Sequence, residues 1–316
     1  MYLSSFSIIE PDDKFYFYQP GWLNAWESHL YNKALKSSHV NGWGLKRFGT
    51  QPERYAGEMI RNPQYQKYLE AMERAADEAL QGLATKERMK LLKLRTAFIY
   101  VDSWGESGPF ENISSALHIS MIDTLPKNLV KKFAINAPTC KIRGEKQAFT
   151  QAIFLAKDYL SWDVFDYVVI CAAYRAIPIL VFSDEDLSLK RGEKRRGRAD
   201  SVNLTVERAG CFIFSQQESA VRVSGGQYIR ADHIKNPAVA EYIAFAGLRK
   251  ELLQRSAVPQ QNTLYLVDTY GASGCLTPAL SFAWIHQHPH VAGKIRTVVP
   301  DNLSGYSYFD IEYRKE

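Results

Sequence analysis

The chain has 316 residues, 46% hydrophobic and 23% charged, the balance of a soluble globular protein with a large core. A net charge of +5 is too mild for a nucleic-acid binder, and no basic face interleaved with aromatics is visible. No apolar run approaches the ~20 residues that span a bilayer, and the first residues show no secretion signal, so a cytoplasmic location is expected.

Residues 1–50 read as an irregular, aromatic-rich segment (Tyr16, Phe17, Tyr18, Trp22, Trp26, Trp43), either an interface or a cover over the protein's own core. Asn62-Pro63 has the form of a helix start, and Tyr68, Leu69, Met72, Ala75, Ala76 and Ala79 continue it as an apolar stripe. Thr96–Val101 is a buried strand. Trp104–Pro109 is a glycine-containing loop, and Ile113–Ile122 and Leu125–Phe133 are short helices. Ala137–Leu160 then reads as strand, tight turn and helix. Tyr167–Ala172 and Ile177–Phe182 are apolar enough for strands buried on both faces.

Lys190–Arg198 is a hydrophilic loop with six basic residues. Short strands are expected at Val202–Val206, Gly210–Ser215 and Ala220–Val223, and a helix at Pro237–Arg255. A strand follows at Thr263–Val267, then a glycine turn and a helix at Cys275–Ile285, and the strands Ile295–Val299 and Tyr308–Tyr313 close the chain. The order of elements around 62–182 recurs, shortened, around 237–313, which suggests two similar α/β halves. The cysteines (Cys140, Cys171, Cys211, Cys275) form no CxxC pair and read as buried free thiols.

The turn in Ala137–Leu160 is where an enzyme of this architecture would display a nucleophile, because a helix N-terminus offers unpaired N–H groups and a positive dipole. Here it holds Arg143, Gly144, Glu145, Lys146 and Gln147, with no Ser, Cys or Thr. Lys146 and Glu145 are open to three readings: a plug or ion pair filling the site, a Schiff-base lysine, or a solvated turn. Asp268 is a base or a turn cap, with the cap favoured. His286, His288 and His290 alternate as metal ligands can, but Pro289 interrupts them and no acid or cysteine adjoins; no metal site and no cofactor are expected.

Thr269–Gly274 (TYGASG), followed by an apolar helix, resembles the G-H-T-x-G-A-S-G segment of β-ketoacyl synthases. Ala71–Leu83 with Thr96–Val101, then Ala137–Ile153, then Val206–Phe214 resemble three further segments of that family, in the family's order. The resemblance covers roughly residues 60–316. It implies a thiolase-like layered αβαβα fold of two pseudo-repeated halves, the second shortened, with residues 1–200 and 201–316 as the two parts of one compact unit.

The departures carry the functional expectation. The family's nucleophilic cysteine falls on Lys146, its histidine on Asp268 and its lysine on Thr263, and the H-G-T-G-T segment is not found. A lysine cannot carry a transferable thioester, and an ionised aspartate cannot donate to an oxyanion. The pattern resembles a chain-length factor, in particular the degenerate kind of aryl-polyene pathways. This is a subunit without its own chemistry that heterodimerises with an active β-ketoacyl-ACP synthase and shapes its acyl tunnel in polyketide- or fatty-acid-like biosynthesis. The resemblance places the dimer edge at Ala137, Pro138, Thr139, Cys140, Lys141 and Ile142. An acidic acyl carrier protein would suit Lys190, Arg191, Lys194, Arg195, Arg196 and Arg198. Two alternatives stay open: an acyltransferase or hydrolase using Lys146, Glu145 or Asp268, and a homodimeric scaffold.

Overall fold

The computed structural model describes residues 1–12, 14–20, 25–48, 66–103, 125–178, 180–182, 202–247, 252, 255–256, 260–290, 293–301 and 305–314. The first half begins with β1 (Tyr2–Ile9), β2 (Tyr16–Phe17), α1 (Ala25–Ser38) and β3 (Gly42–Lys46). It continues through α2 (Gln66–Gln81), α3 (Thr85–Lys93), β4 (Thr96–Ser103), α4 (Lys127–Lys131), β5 (Cys140–Arg143) and α5 (Lys146–Ser161). Strands β6 (Tyr167–Tyr174), β7 (Val202–Val206) and β8 (Arg208–Ser215) complete it. The second half comprises β9 (Val221–Ile229), β10 (Tyr242–Phe245), β11 (Thr263–Tyr265), α6 (Leu266–Tyr270), α7 (Leu280–Gln287), β12 (Lys294–Pro300) and β13 (Tyr306–Tyr313).

Ten strands run in the order β11-β10-β12-β13-β9-β1-β8-β6-β4-β5. The row divides into two sets of five. In β1, β4, β5, β6 and β8, and again in β9 to β13, the spatial order is third, second, fourth, fifth, first. The pairings agree as well. The second strand is parallel to the third and fourth, and the fifth is antiparallel to the fourth and first. Within the sheet the two sets are joined where β1 pairs with β9, at Tyr2↔Arg222 and Leu3↔Val221. The echo in the sequence is therefore a repeat of topology.

Strand periodicity builds the layers. In β4, Ala97, Ile99 and Val101 join a core with α5, α7 and the inner face of the second set. Phe98 and Tyr100 point the other way, under α2 and α4. Helix α5 fills the middle with Phe149, Ala152, Ile153, Ala156 and Leu160, all buried, and each large side chain contributes about 1.5–3 kcal/mol of transfer free energy. The outer face of the second set gathers Ile243, Phe245, Val298 and Tyr306 beneath Ile234 and Leu252. The result is the expected layered α/β fold with two pseudo-repeated halves.

Several predicted elements are corrected. The described residues of 1–50 are largely regular: β1 lies in the middle of the sheet, hydrogen-bonded along β8, and α1 is a full helix, while Trp22 lies outside the described residues. Tyr18 and Trp43 are buried while Phe15, Phe17 and Trp26 stay exposed, and β2, β3 and β7 form a separate three-stranded sheet. Within Ile177–Phe182 the described residues are helical rather than extended, with the N–H groups of Leu180 and Val181 donating to the carbonyl of Ile177. Pro178 suits a first helical turn, and an apolar run this short carries no period to tell strand from helix. Pro237–Arg255 is not one helix: Pro237–Val239 is a single 3₁₀ turn and Tyr242–Phe245 is strand β10. The strand at Thr263 stops at Tyr265, and the helix expected from Cys275 becomes regular only at Leu280. Asn62-Pro63, Trp104–Pro109 and Ile113–Ile122 lie outside the described residues.

Candidate functional site

The carboxyl ends of the parallel strands β4 and β5 and the start of α5 form the elbow. Register sets Asp102 opposite Arg143, and the Arg143 guanidinium donates to both carboxylate oxygens at 2.9 and 2.7 Å. Asp102 is buried, so the two parallel bonds offset the cost of removing its charge from water. The Gly144 N–H donates to the Asp102 carbonyl at 3.2 Å, which tightens the turn. Glu145 is the residue before the helix and makes no side-chain capping bond.

Lys146 opens α5, where an ordinary elbow would hold its nucleophile. Its side chain crosses to the second half and lies against Gly247, just past β10. A Cβ at 247 would stand 3.4 Å from Nζ and 3.6 Å from Cδ. The next residue bridges as well, Gln147 Nε2 donating to the Val299 carbonyl at 2.9 Å. The first turn of α5 thus carries two long polar side chains that reach the opposite half, one of them hydrogen-bonded there.

The second elbow packs against the first. Gly271 and Gly274 have φ of +79° and +48°. A Cβ on Gly274 would fall 2.3 Å from Tyr174 Cδ2 and 2.4 Å from Ser103 Oγ. This close approach lets the Cys275 N–H donate to Ser103 Oγ at 2.9 Å, while its thiol faces the Ala173 carbonyl at 3.5 Å. Burial pushes the Cys275 thiol far up. The Ser103 contact opposes this in part, and the charges of Glu145 and Asp102 reinforce it. The thiol stays protonated at neutral pH and is no nucleophile. Position 275 gave no local signal of this role, because its neighbours come from strands about 100 and 170 residues earlier.

Arg208 was also missed. Fully buried on β8, it donates to the Tyr270 carbonyl at 2.6 Å, to Ser273 Oγ and to Glu10 Oε1 at 2.8 Å, pinning the second elbow to the first half. Burial lowers its pKa, and the Glu10 carboxylate counters that.

The structure does not gather every expected residue. Thr263 opens β11 at the far edge of the second set, opposite Ile243. Asp268 lies inside α6, in its first turn, rather than capping it; burial raises the pKa of Tyr265, and the Asp268 charge adds to that. Ala137–Ile142 leads into and forms most of β5, the last strand of the row, paired only to β4 among the described residues. Thr139 fastens its start, its N–H donating to the Phe98 carbonyl at 2.8 Å and its hydroxyl accepting from the Phe98 N–H at 3.1 Å. Lys190, Arg191, Lys194, Arg195, Arg196 and Arg198 lie outside the described residues. His286 meets the Phe6 ring edge-on at 5.7 Å, and His288 stacks on Trp284 at 4.7 Å.

No family model and no curated protein matches the chain. Solved structures do. The acetamide-bound form of OleA from Xanthomonas campestris is similar with a TM-score of 0.58 at 8% identity, over 99% of this chain and 98% of that one. Cerulenin-bound OleA from a co-crystal gives 0.58 at 8% identity, over 99% and 96%. The same protein soaked with cerulenin gives 0.59 at 7%, over 99% and 98%. Identity this low carries the architecture and not the activity: the chain has the thiolase fold of OleA.

Proposed function

We propose that this chain is a non-catalytic, ketosynthase-like subunit, a chain-length factor that pairs with an active β-ketoacyl-ACP synthase and shapes its acyl tunnel. One observation carries the reading: at the start of α5 stands Lys146, its amine laid against Gly247, where a reacting thiol would be needed. The thiol nearby, on Cys275, is sealed and protonated. A free amine there would form a stable amide with an acyl thioester and stop turnover. The outer edge of β5, the last of the described strands in the row and including Cys140, Lys141 and Ile142, is the surface through which the partner would extend the sheet. The substrate would be a growing acyl chain on an acyl carrier protein, held by the partner.

The test is co-expression with an active β-ketoacyl-ACP synthase, followed by size-exclusion chromatography and mass determination. The expected product is a one-to-one complex that elongates acyl chains, whereas this chain alone does not. A soluble homodimer that ignores the synthase overturns the reading. Acyl transfer by the isolated chain, lost in Lys146→Ala, would make it an enzyme in its own right.

A further inference from the structure

The end of the molecule opposite the elbow carries a surface that neither the elbow nor the β5 edge uses. Helix α3 turns Leu91 into the core, where it is fully buried. Lys86, Met89, Lys90 and Lys93 follow the spacing i, i+3, i+4 and i+7, which puts them on one outward face, and all four are exposed. Glu87 faces elsewhere, toward Tyr167, whose pKa its charge raises after burial has done so. Among the described residues no ion pair holds the three lysines.

Bulky apolar groups continue the face. Met89 is 47% exposed and Leu94, just past the helix, 49%. The turn after α5 adds Trp162 at 72% and Val164 at 44%. Arg95 holds the two segments together. It donates to the Asp163 carbonyl at 2.8 Å, to the Asp163 carboxylate at 3.0 Å and to Asp166 at 3.1 Å. Arg95 thus offsets one of the two carboxylates beside the patch, and the three lysines of α3 outweigh the other, so the face stays net positive.

We propose that this end of the protein docks on an anionic membrane surface, independently of the role proposed above. Lysines beside exposed Trp, Leu and Met side chains are what a phospholipid interface selects. The ammonium groups meet the headgroup phosphates, and the indole and aliphatic groups enter the boundary beneath them. Such docking is peripheral, since no described helix is long and apolar enough to cross a bilayer. The rival occupants fit less well. A second copy would bring its own three lysines against these. An acidic carrier protein bound here would stand a full strand length from the elbow, about 26 Å for the eight residues of β4.

The test is co-sedimentation of the full chain with vesicles of equal parts phosphatidylcholine and phosphatidylglycerol, beside vesicles of phosphatidylcholine alone. Binding is expected to the anionic vesicles at low salt and to be lost near 1 M salt, where the screening length falls to about 3 Å. The triple variant Lys86→Glu, Lys90→Glu, Lys93→Glu changes only exposed side chains. It is expected to bind roughly a hundredfold more weakly, or worse, with an unchanged circular dichroism spectrum. Trp162→Ala keeps the charge and should also weaken binding. Equal binding to neutral vesicles, no binding to either kind, or a triple variant that binds normally overturns the proposal. So does Trp162-dependent self-association without lipid, or binding of an acidic carrier protein by a chain that ignores vesicles.

Discussion

Gly274 holds the two elbows together because it has no side chain. Its φ is +48°, and the space a methyl group would need is taken by Tyr174 and Ser103, both buried. Gly274→Ala combines left-handed strain of about 1–2 kcal/mol with overpacking of about 1–3 kcal/mol. We expect a loss of about 3 kcal/mol in urea denaturation; an unchanged midpoint would mean that the elbows do not pack this closely. A glycine at this place was legible, since TYGASG reads as a turn before a helix. Its partners were not, because Ser103 and Tyr174 lie on other strands about 100 to 170 residues away. The same limit hid Gly247 and Cys275. Lys146 could be placed at the helix start from spacing alone, but the residue facing it belongs to a stretch that local patterns read as helix.

Among the elements, α2 shows how far periodicity reaches. Its stripe was clear in the sequence, and the structure lays Ala75, Ala76 and Ala79 directly on β1 and β8 with almost no exposure. Ser7 Oγ reaches Glu78 Oε2 at 2.7 Å across the same contact. Small side chains set the separation of helix and sheet, so Ala76→Leu should destabilise the fold by about 2 kcal/mol. A urea midpoint equal to that of the parent would contradict this packing. Elements without a period were the ones misread. β1 alternates only weakly, with Leu3, Ser7 and Ile9 buried, because it is covered by different layers along its length. Pro237–Arg255 contains good helix formers, yet Tyr242–Phe245 is drawn into the sheet by β11 and β12 on either side. Tertiary pairing there overrides local preference.

Across the whole molecule, the repeated strand order makes two halves, but the core does not separate them. Helices α5 and α7 share one cluster that includes Ile99 and Ile170 from the first set and Ile295, Phe309 and Ile311 from the second. Neither half can bury its inner face alone. Thermal unfolding followed by far-ultraviolet circular dichroism and by tryptophan fluorescence should give coincident transitions. Two separated transitions would show that the halves unfold independently. The layered architecture was legible because the order of apolar strands and helices is coarse information that survives divergence. The candidate site was legible only as a turn before a helix that holds no Ser, Cys or Thr.

The contact of Lys146 with Gly247 also couples two distant segments of the chain. A cysteine placed at 146 by one substitution would leave a void where the lysine stem lay. Beside it at 247 would be a residue with no side chain to take up its proton. A thiol nucleophile built at this place would therefore involve both segments, about a hundred residues apart in the chain. The start of α5 and the chain just past β10 are thus fitted to each other as a pair, and a change at either position is felt at the other.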